Sequence, residues 1–270
     1  MSQDRKPPTS RTKKPIKAKP RATKPAQKKS EVRASRQITE MVDPRGRSRG
    51  KRVRVKSAKG RKTSSTRWLE RQLNDPYVAE ANRLGYRSRA AFKILELDKK
   101  YTLFKHARRI VDLGAAPGGW SQMASKLKKS DGYIVGIDLL EIEPMEGVTF
   151  IEMDFMLPEA ETELLCLMGG PADLVMSDMA ANATGHKQTD HIRTLALCET
   201  AADFAMKTLV KGGNFVAKVF RGGTEASLLD KLKHNFETVK HFKPESSRAE
   251  SVELFVVALN YKGRTSGNET

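Results

Sequence analysis

Cysteine is nearly absent from this chain: 270 residues hold two, Cys166 and Cys198, and neither lies in a CxxC pair. That excludes a disulfide-stapled scaffold. The five histidines show no HExxH or comparable spacing, so no metal is expected. No run of about 18 uncharged apolar residues occurs, which excludes a membrane-spanning helix. An apolar stretch of signal-peptide type is also missing from the N-terminus, and a reducing cytoplasm is the expected compartment. Nothing in the sequence demands an oligomer, so a monomer is expected.

Aromatic side chains are missing altogether from residues 1–67; the first is Trp68. The same stretch holds 24 Lys and Arg against four acids, a net of +20, whereas residues 68–270 hold 26 against 28. The whole-chain charge of +18 therefore belongs to one segment. Prolines recur there at Pro7, Pro8, Pro15, Pro20, Pro25 and Pro44, with few aliphatics between them. Such a segment cannot bury enough apolar surface to offset its ordering entropy, so residues 1–67 are expected to form a disordered basic arm. Dense positive charge on a flexible chain, as in Arg45-Gly-Arg-Ser-Arg-Gly-Lys-Arg52, suits RNA phosphates. A mitochondrial transit peptide fits less well, because lysine and proline make a poor amphipathic helix.

Residues 68–270 are expected to form one globular domain. Short β-rich apolar runs alternate there with helical patterns. The predicted strands are Ile110–Leu113, Tyr133–Asp138, Val148–Glu152, Asp173–Ser177, Asn214–Phe220, Thr238–Phe242 and Glu253–Leu259. The predicted helices between them are Gly119–Lys129, His191–Leu209 and Glu225–Asn235, after a helical lead-in over residues 68–108. Strands separated by helices of this length indicate an α/β fold with a mostly parallel, seven-stranded sheet and helices on both faces. The last two strands, with Pro244 and paired serines between them, are expected to be antiparallel at an edge.

Ligands of open α/β sheets sit beyond the carboxyl ends of the strands. The first predicted strand runs into Asp112-Leu-Gly-Ala-Ala-Pro-Gly-Gly-Trp120. Gly114, Gly118 and Gly119 permit a sharp turn and close approach to a ligand. A GxGxxG dinucleotide fingerprint would need glycine at position 116, which is Ala116, followed here by Pro117; this disfavours a nicotinamide-linked oxidoreductase. Asp138 ends the second strand, where a carboxylate can accept both hydroxyls of a ribose. Asp154 follows the third strand, where it can accept from an adenine amino group. An adenosine moiety without a phosphate to cradle points to S-adenosyl-L-methionine.

Four charged residues occupy positions that ought to be apolar. Lys218 lies inside the strand Asn214-Phe-Val-Ala-Lys-Val-Phe220, Asp178 ends another, Glu253 opens the last, and Lys93 sits on an amphipathic helix. Buried charges are costly unless paired, so two lysines and two carboxylates converging at one sheet edge would satisfy each other.

Several of these stretches resemble the FtsJ/RrmJ (RlmE) family of ribose 2′-O-methyltransferases, over about Trp68 to Tyr261. The resemblance runs through Arg87-Ser-Arg-Ala-Ala-Phe-Lys93, Asp112-Leu-Gly-Ala-Ala-Pro-Gly-Gly-Trp-Ser-Gln122, Met176-Ser-Asp-Met-Ala180, Lys218-Val-Phe220 and Pro244-Glu-Ser-Ser-Arg-Ala249. It implies a Rossmann-like S-adenosylmethionine-dependent methyltransferase fold. It also implies a catalytic tetrad of Lys93, Asp178, Lys218 and Glu253, with Lys218 as base or hydroxyl-orienting residue. Cofactor contacts are expected from Gly114, Gly118, Trp120, Asp138, Asp154 and Asp178. The acceptor implied is a uridine in the A-loop of large-subunit (23S) ribosomal RNA, with Arg87, Arg89 and Arg248 adding phosphate contacts. Transfer RNA methylation and a non-catalytic RNA-binding assembly factor are the rival readings. Two departures stand out: Asp178-Met-Ala-Ala-Asn182 replaces the frequent Asp-Met-Ala-Pro-Asn, and the basic leader is long.

Overall fold

The run Ile110-Val-Asp-Leu113 is buried at every position, and a strand buried on both faces lies inside a sheet with helices above and below. The computed structural model describes residues 63–181, 184–222 and 226–263, and builds that sheet from seven strands. They are β1 (Arg109–Leu113), β2 (Tyr133–Asp138), β3 (Val148–Glu152), β4 (Ala172–Ser177), β5 (Leu209–Phe220), β6 (Phe236–Phe242) and β7 (Glu253–Tyr261). Their order is β3-β2-β1-β4-β5-β7-β6. Strands β1 to β5 pair in parallel, whereas β7 runs antiparallel to both β5 and β6. The mostly parallel α/β sheet expected from the sequence is present, but β7 inserts between β5 and β6, leaving β6 as the outer strand.

The helices are α1 (Thr63–Leu73), α2 (Pro76–Arg83), α3 (Ala90–Tyr101), α4 (Gly119–Leu127), α5 (Pro158–Met168), α6 (Lys187–Thr208) and α7 (Ala226–Asn235). Helix α1 begins at Thr63, inside the stretch expected to be arm; residues 1–62 lie outside the described residues. Side chains alternate across a strand, and the core divides accordingly. Ile110, Ile134, Leu174 and Val216 pack with Phe92, Leu97 and Met123 of α3 and α4. One residue further along each strand, Val111, Val135, Val175 and Ala217 pack with Leu164, Ala201 and Leu232 of α5, α6 and α7. Among the described residues no helix is long and apolar enough to cross a membrane.

Register decides what meets at the carboxyl end of the parallel strands. Leu113 pairs with both Ile137 and Ser177, and Ser177 with Ala217, so Asp138, Asp178 and Lys218 follow at one level. Because β7 runs the other way, its first residue, Glu253, pairs with Phe220 at that same end. The edge where the charges converge is thus the carboxyl end of internal strands.

Candidate active site

Between β1 and α4 the chain reverses over residues 114–118. Gly114 adopts φ +74°, and a Cβ there would lie 2.9 Å from the Met179 backbone and 2.7 Å from its Cγ, so no larger residue fits. The amides of Gly114 and Ala115 both donate to the Ile137 carbonyl, at 2.9 and 3.1 Å. Asp138 locks the turn from β2: its carboxylate accepts the Ala116 amide at 2.9 Å and the Leu140 amide at 3.0 Å.

A cavity of about 370 Å³ opens beside this turn, in the range of small-ligand sites. Gly114, Ala116, Asp138, Asp154, Asp178 and Lys218 line it together. Asp154 is oriented by the Met156 amide, which donates to its Oδ1 at 2.9 Å. Apolar residues complete the wall, including Phe155, Met179 and the exposed pair Leu139 and Leu140. Carboxylates at two strand ends with an apolar wall between them suit an adenosine whose ribose and amino group need acceptors. Carboxylates in place of cations also suit a positively charged centre at the other end. The residues present therefore fit S-adenosylmethionine.

Two residues expected to touch the cofactor do not line this cavity. Trp120, on the first turn of α4, points into the core: its Nε1 donates to the Ala90 carbonyl at 3.0 Å and its ring lies 5.5 Å from Phe255. Gly118 caps α4 at φ +97°, where a Cβ would lie 2.8 Å from Arg87 Nη1. Its glycine answers to helix entry and the packing of Arg87. The apolar lining was missed by sequence reasoning, although an exposed Leu-Leu directly after a strand-end acid was its signal.

The four charged residues do converge. Lys218 is 8% exposed, and its ammonium pairs with Asp178 Oδ1 at 3.0 Å and donates to the Asp178 carbonyl. Lys93 pairs with Glu253, 2.8 Å from Oε1 and 2.9 Å from Oε2. Burial alone would raise the Asp178 carboxyl, but the charges of Lys218 and then Lys93, with the Lys218 hydrogen bond, hold it below its ordinary value. The two ion pairs are therefore one electrostatic unit, ending in the cavity wall.

The three arginines expected to meet phosphate are engaged within the protein. Arg87 donates to the carbonyls of Glu143 and Pro144, at 2.6 and 2.9 Å, and pins that loop across the glycine-rich turn. Arg89 and Arg248 both pair with Asp75, the N-cap of α2.

Asp112, passed over by sequence reasoning, is fully buried beneath this site. Its Oδ2 accepts the Ser121 hydroxyl at 2.6 Å, and Oδ1 has no hydrogen-bond partner among the described residues. Burial, and then the charges of Asp178 and Asp138, push the carboxyl up to about 7. The folded state thus holds a proton that the unfolded chain releases near pH 4, so this group makes stability fall as pH rises from about 4 to about 7. The full effect is on the order of 4 kcal/mol. Asp112→Asn is expected to gain on the wild type across that window in denaturant melts; parallel pH curves would refute the assignment.

Comparison with known proteins follows the geometry. Residues 86–261 match the model of the FtsJ-like methyltransferase family. The Ribosomal RNA large subunit methyltransferase E of Xanthobacter autotrophicus is 58% identical over 231 residues, spanning 84% of this chain and 91% of that relative. The protein of the same name from Novosphingobium aromaticivorans is 62% identical over 211 residues, 78% of this chain and 95% of its own. The crystal structure of a ribosomal RNA methyltransferase from Plasmodium falciparum matches with a TM-score of 0.59 at 31% identity, covering 66% of this chain and 100% of that one.

Proposed function

Because this chain belongs to the FtsJ-like methyltransferase family, we propose that it methylates large-subunit ribosomal RNA, with S-adenosyl-L-methionine as donor and a ribose 2′-hydroxyl as acceptor. The acceptor nucleotide in this reading is a uridine of the A-loop. One observation carries it: the Lys218–Asp178 pair forms a wall of the same cavity that holds Asp138 and Asp154.

When bound, the cofactor supplies a methyl group made electrophilic by its sulfonium. Asp138 is assigned to its ribose hydroxyls, Asp154 to its adenine amino group, and Asp178 to the side of the cavity nearest the positive charge. The ribose hydroxyl is a poor nucleophile at neutral pH, so alignment and a proton acceptor decide the rate. Lys218 orients that hydroxyl and, as the neutral amine, accepts its proton, becoming the ammonium that pairs with Asp178; the Lys93–Glu253 pair sets the charge around it.

The experiment is methyl transfer from labelled S-adenosylmethionine to purified large subunits, naked large-subunit RNA and transfer RNA, followed by alkaline hydrolysis. Label on large-subunit RNA in an alkali-resistant dinucleotide is the expected result, since a 2′-O-methyl blocks cleavage there. Label confined to transfer RNA moves the substrate. No label on any acceptor, despite measurable cofactor binding, replaces this reading by an assembly factor.

The basic segment over residues 1–67 is assigned to RNA phosphates and to no chemistry. Deleting residues 1–60 is expected to weaken RNA binding and flatten the dependence of log K on log salt, with kcat on saturating RNA retained. An unchanged salt slope disposes of that role.

A further inference from the structure

The loop between β6 and β7 bears on the charged cluster, and its rigidity comes from outside the cluster. Its backbone is clamped from α3: Glu96 accepts the amide of Glu245 at 2.5 Å and that of Ser246 at 3.0 Å. Arg89 donates to the Ser246 carbonyl and also pairs with Asp75, which takes Arg248 as well. The Ser247 amide closes the turn on the Pro244 carbonyl at 3.1 Å. Ser246 and Ser247 are both buried by this arrangement. The Ser247 hydroxyl, so placed, donates to Glu253 Oε1 at 2.9 Å.

A carboxylate rotates softly about its last torsion, whose preference is broad and two-fold. An ammonium is a compact charge with three rotatable donors, so Lys93 attracts Glu253 without setting the plane of its carboxylate. A hydroxyl on a clamped backbone restrains that plane, because its buried oxygen anchors one of the two carboxylate oxygens at a set place relative to the sheet. With Ser247 on Oε1, both carboxylate oxygens stay turned to Lys93, at 2.8 and 2.9 Å. Lys93 is then held away from Asp178, whose carboxylate is left to Lys218.

We propose that Ser247 is a positioning residue of the methyl-transfer centre, acting through Glu253: its hydroxyl fixes the carboxylate that holds Lys93, and so keeps the two ion pairs in their present partition. The inference rests on the reaction proposed above. The loop's clamps, Glu96 and the Asp75–Arg89–Arg248 group, make that hydroxyl a rigid reference point.

The test compares Ser247→Ala and Ser247→Thr with the wild type on large subunits, measuring kcat, the KM for subunits and the affinity for S-adenosylhomocysteine. Thermal melts of all three accompany the kinetics. Losing one hydrogen bond to a charged group is expected to lower kcat about 10-fold in Ser247→Ala. Both affinities should stay within about twofold, because Ser247 is buried outside the cavity lining and its hydroxyl is engaged by Glu253. Ser247→Thr, which keeps the hydroxyl, is expected to restore most of kcat. A kcat within twofold of wild type in Ser247→Ala overturns the proposal, as does a loss that appears in KM or in cofactor affinity. A threonine variant that melts like the wild type yet turns over as slowly as the alanine variant also overturns it. Wild-type protein that labels no acceptor refutes the parent reaction, and this inference with it.

Discussion

Lys218→Ala is expected to lower methyl transfer by at least about 10³-fold while S-adenosylhomocysteine still binds. The lysine is 8% exposed at the carboxyl end of β5, and its ammonium meets both the carboxylate and the carbonyl of Asp178. Alanine removes the group assigned to orient and deprotonate the acceptor hydroxyl, and the cluster's other lysine, Lys93, is committed to Glu253. Breaking a buried pair by truncating one partner costs roughly 3–5 kcal/mol, so a lower melting temperature is expected as well. Lys218→Arg separates the two effects. It keeps a positive charge against Asp178, and most of the stability, but a guanidinium does not give up its proton under these conditions. The arginine variant should therefore be stable and still inactive. Near-normal turnover by either variant removes Lys218 from the role of base.

Asp178→Ala is expected to lose both turnover and cofactor affinity, the latter by about 100-fold, because this carboxylate serves the cavity and the cluster at once. It lines the cavity and is the counter-ion of Lys218, with Lys93 near enough to lower its carboxyl further. In the proposed reading, removing it would leave Lys218 without its counter-ion beside the positive charge of a bound cofactor, and like charges there cost several kcal/mol. The depressed carboxyl also has a pH signature. Its contribution to stability is intact above about pH 4, where the unfolded group ionises, and is lost as pH falls through the still lower folded value. Calorimetric titration with S-adenosylhomocysteine at neutral pH measures the affinity loss. Retained affinity with lost turnover would confine Asp178 to the chemistry and assign the charged end of the cavity to other residues.

Much of this architecture could be read from single runs of sequence. Buried parallel strands are short apolar segments, and β1, β2 and β4 stand where such segments stand, within a residue, as does the half-exposed edge strand β3. β5 begins at Leu209, five residues before the predicted start, because Gly212 and Gly213 fall in an irregularity between two paired stretches, Leu209 with Ala172 and Asn214 onward with Leu174 onward. Helix α5 went unrecognised despite Pro158 at its first turn, Glu159 and Glu161 beside it and Gly169 at its end, all ordinary helix-boundary signals. Strand order is different in kind. That β7 inserts between β5 and β6 depends on pairing across distant segments, and no local pattern specifies it.

The same division runs through the site. Asp138, Asp154, Asp178, Lys218 and Glu253 were legible because a charge inside or bordering an apolar run stands out in one dimension. The sequence by itself determined the residue types available at the carboxyl ends of the strands, and the glycine that only a backbone at φ +74° requires. Tertiary structure alone decided which way those residues face. Trp120 and Gly118 belong to the same motif as Gly114, yet the entry of α4 turns one into the core and spends the other on a helix cap. Likewise Arg89 and Arg248 became braces for a loop, and Ser247 was placed on Glu253, because Asp75, Arg89 and Glu96 reach Ser246 and Arg248, more than a hundred residues away in sequence. The physical reason is range. Backbone conformation and apolar patterning follow from neighbours along the chain, whereas a hydrogen bond or ion pair is defined only once packing has brought its two ends within about 3 Å.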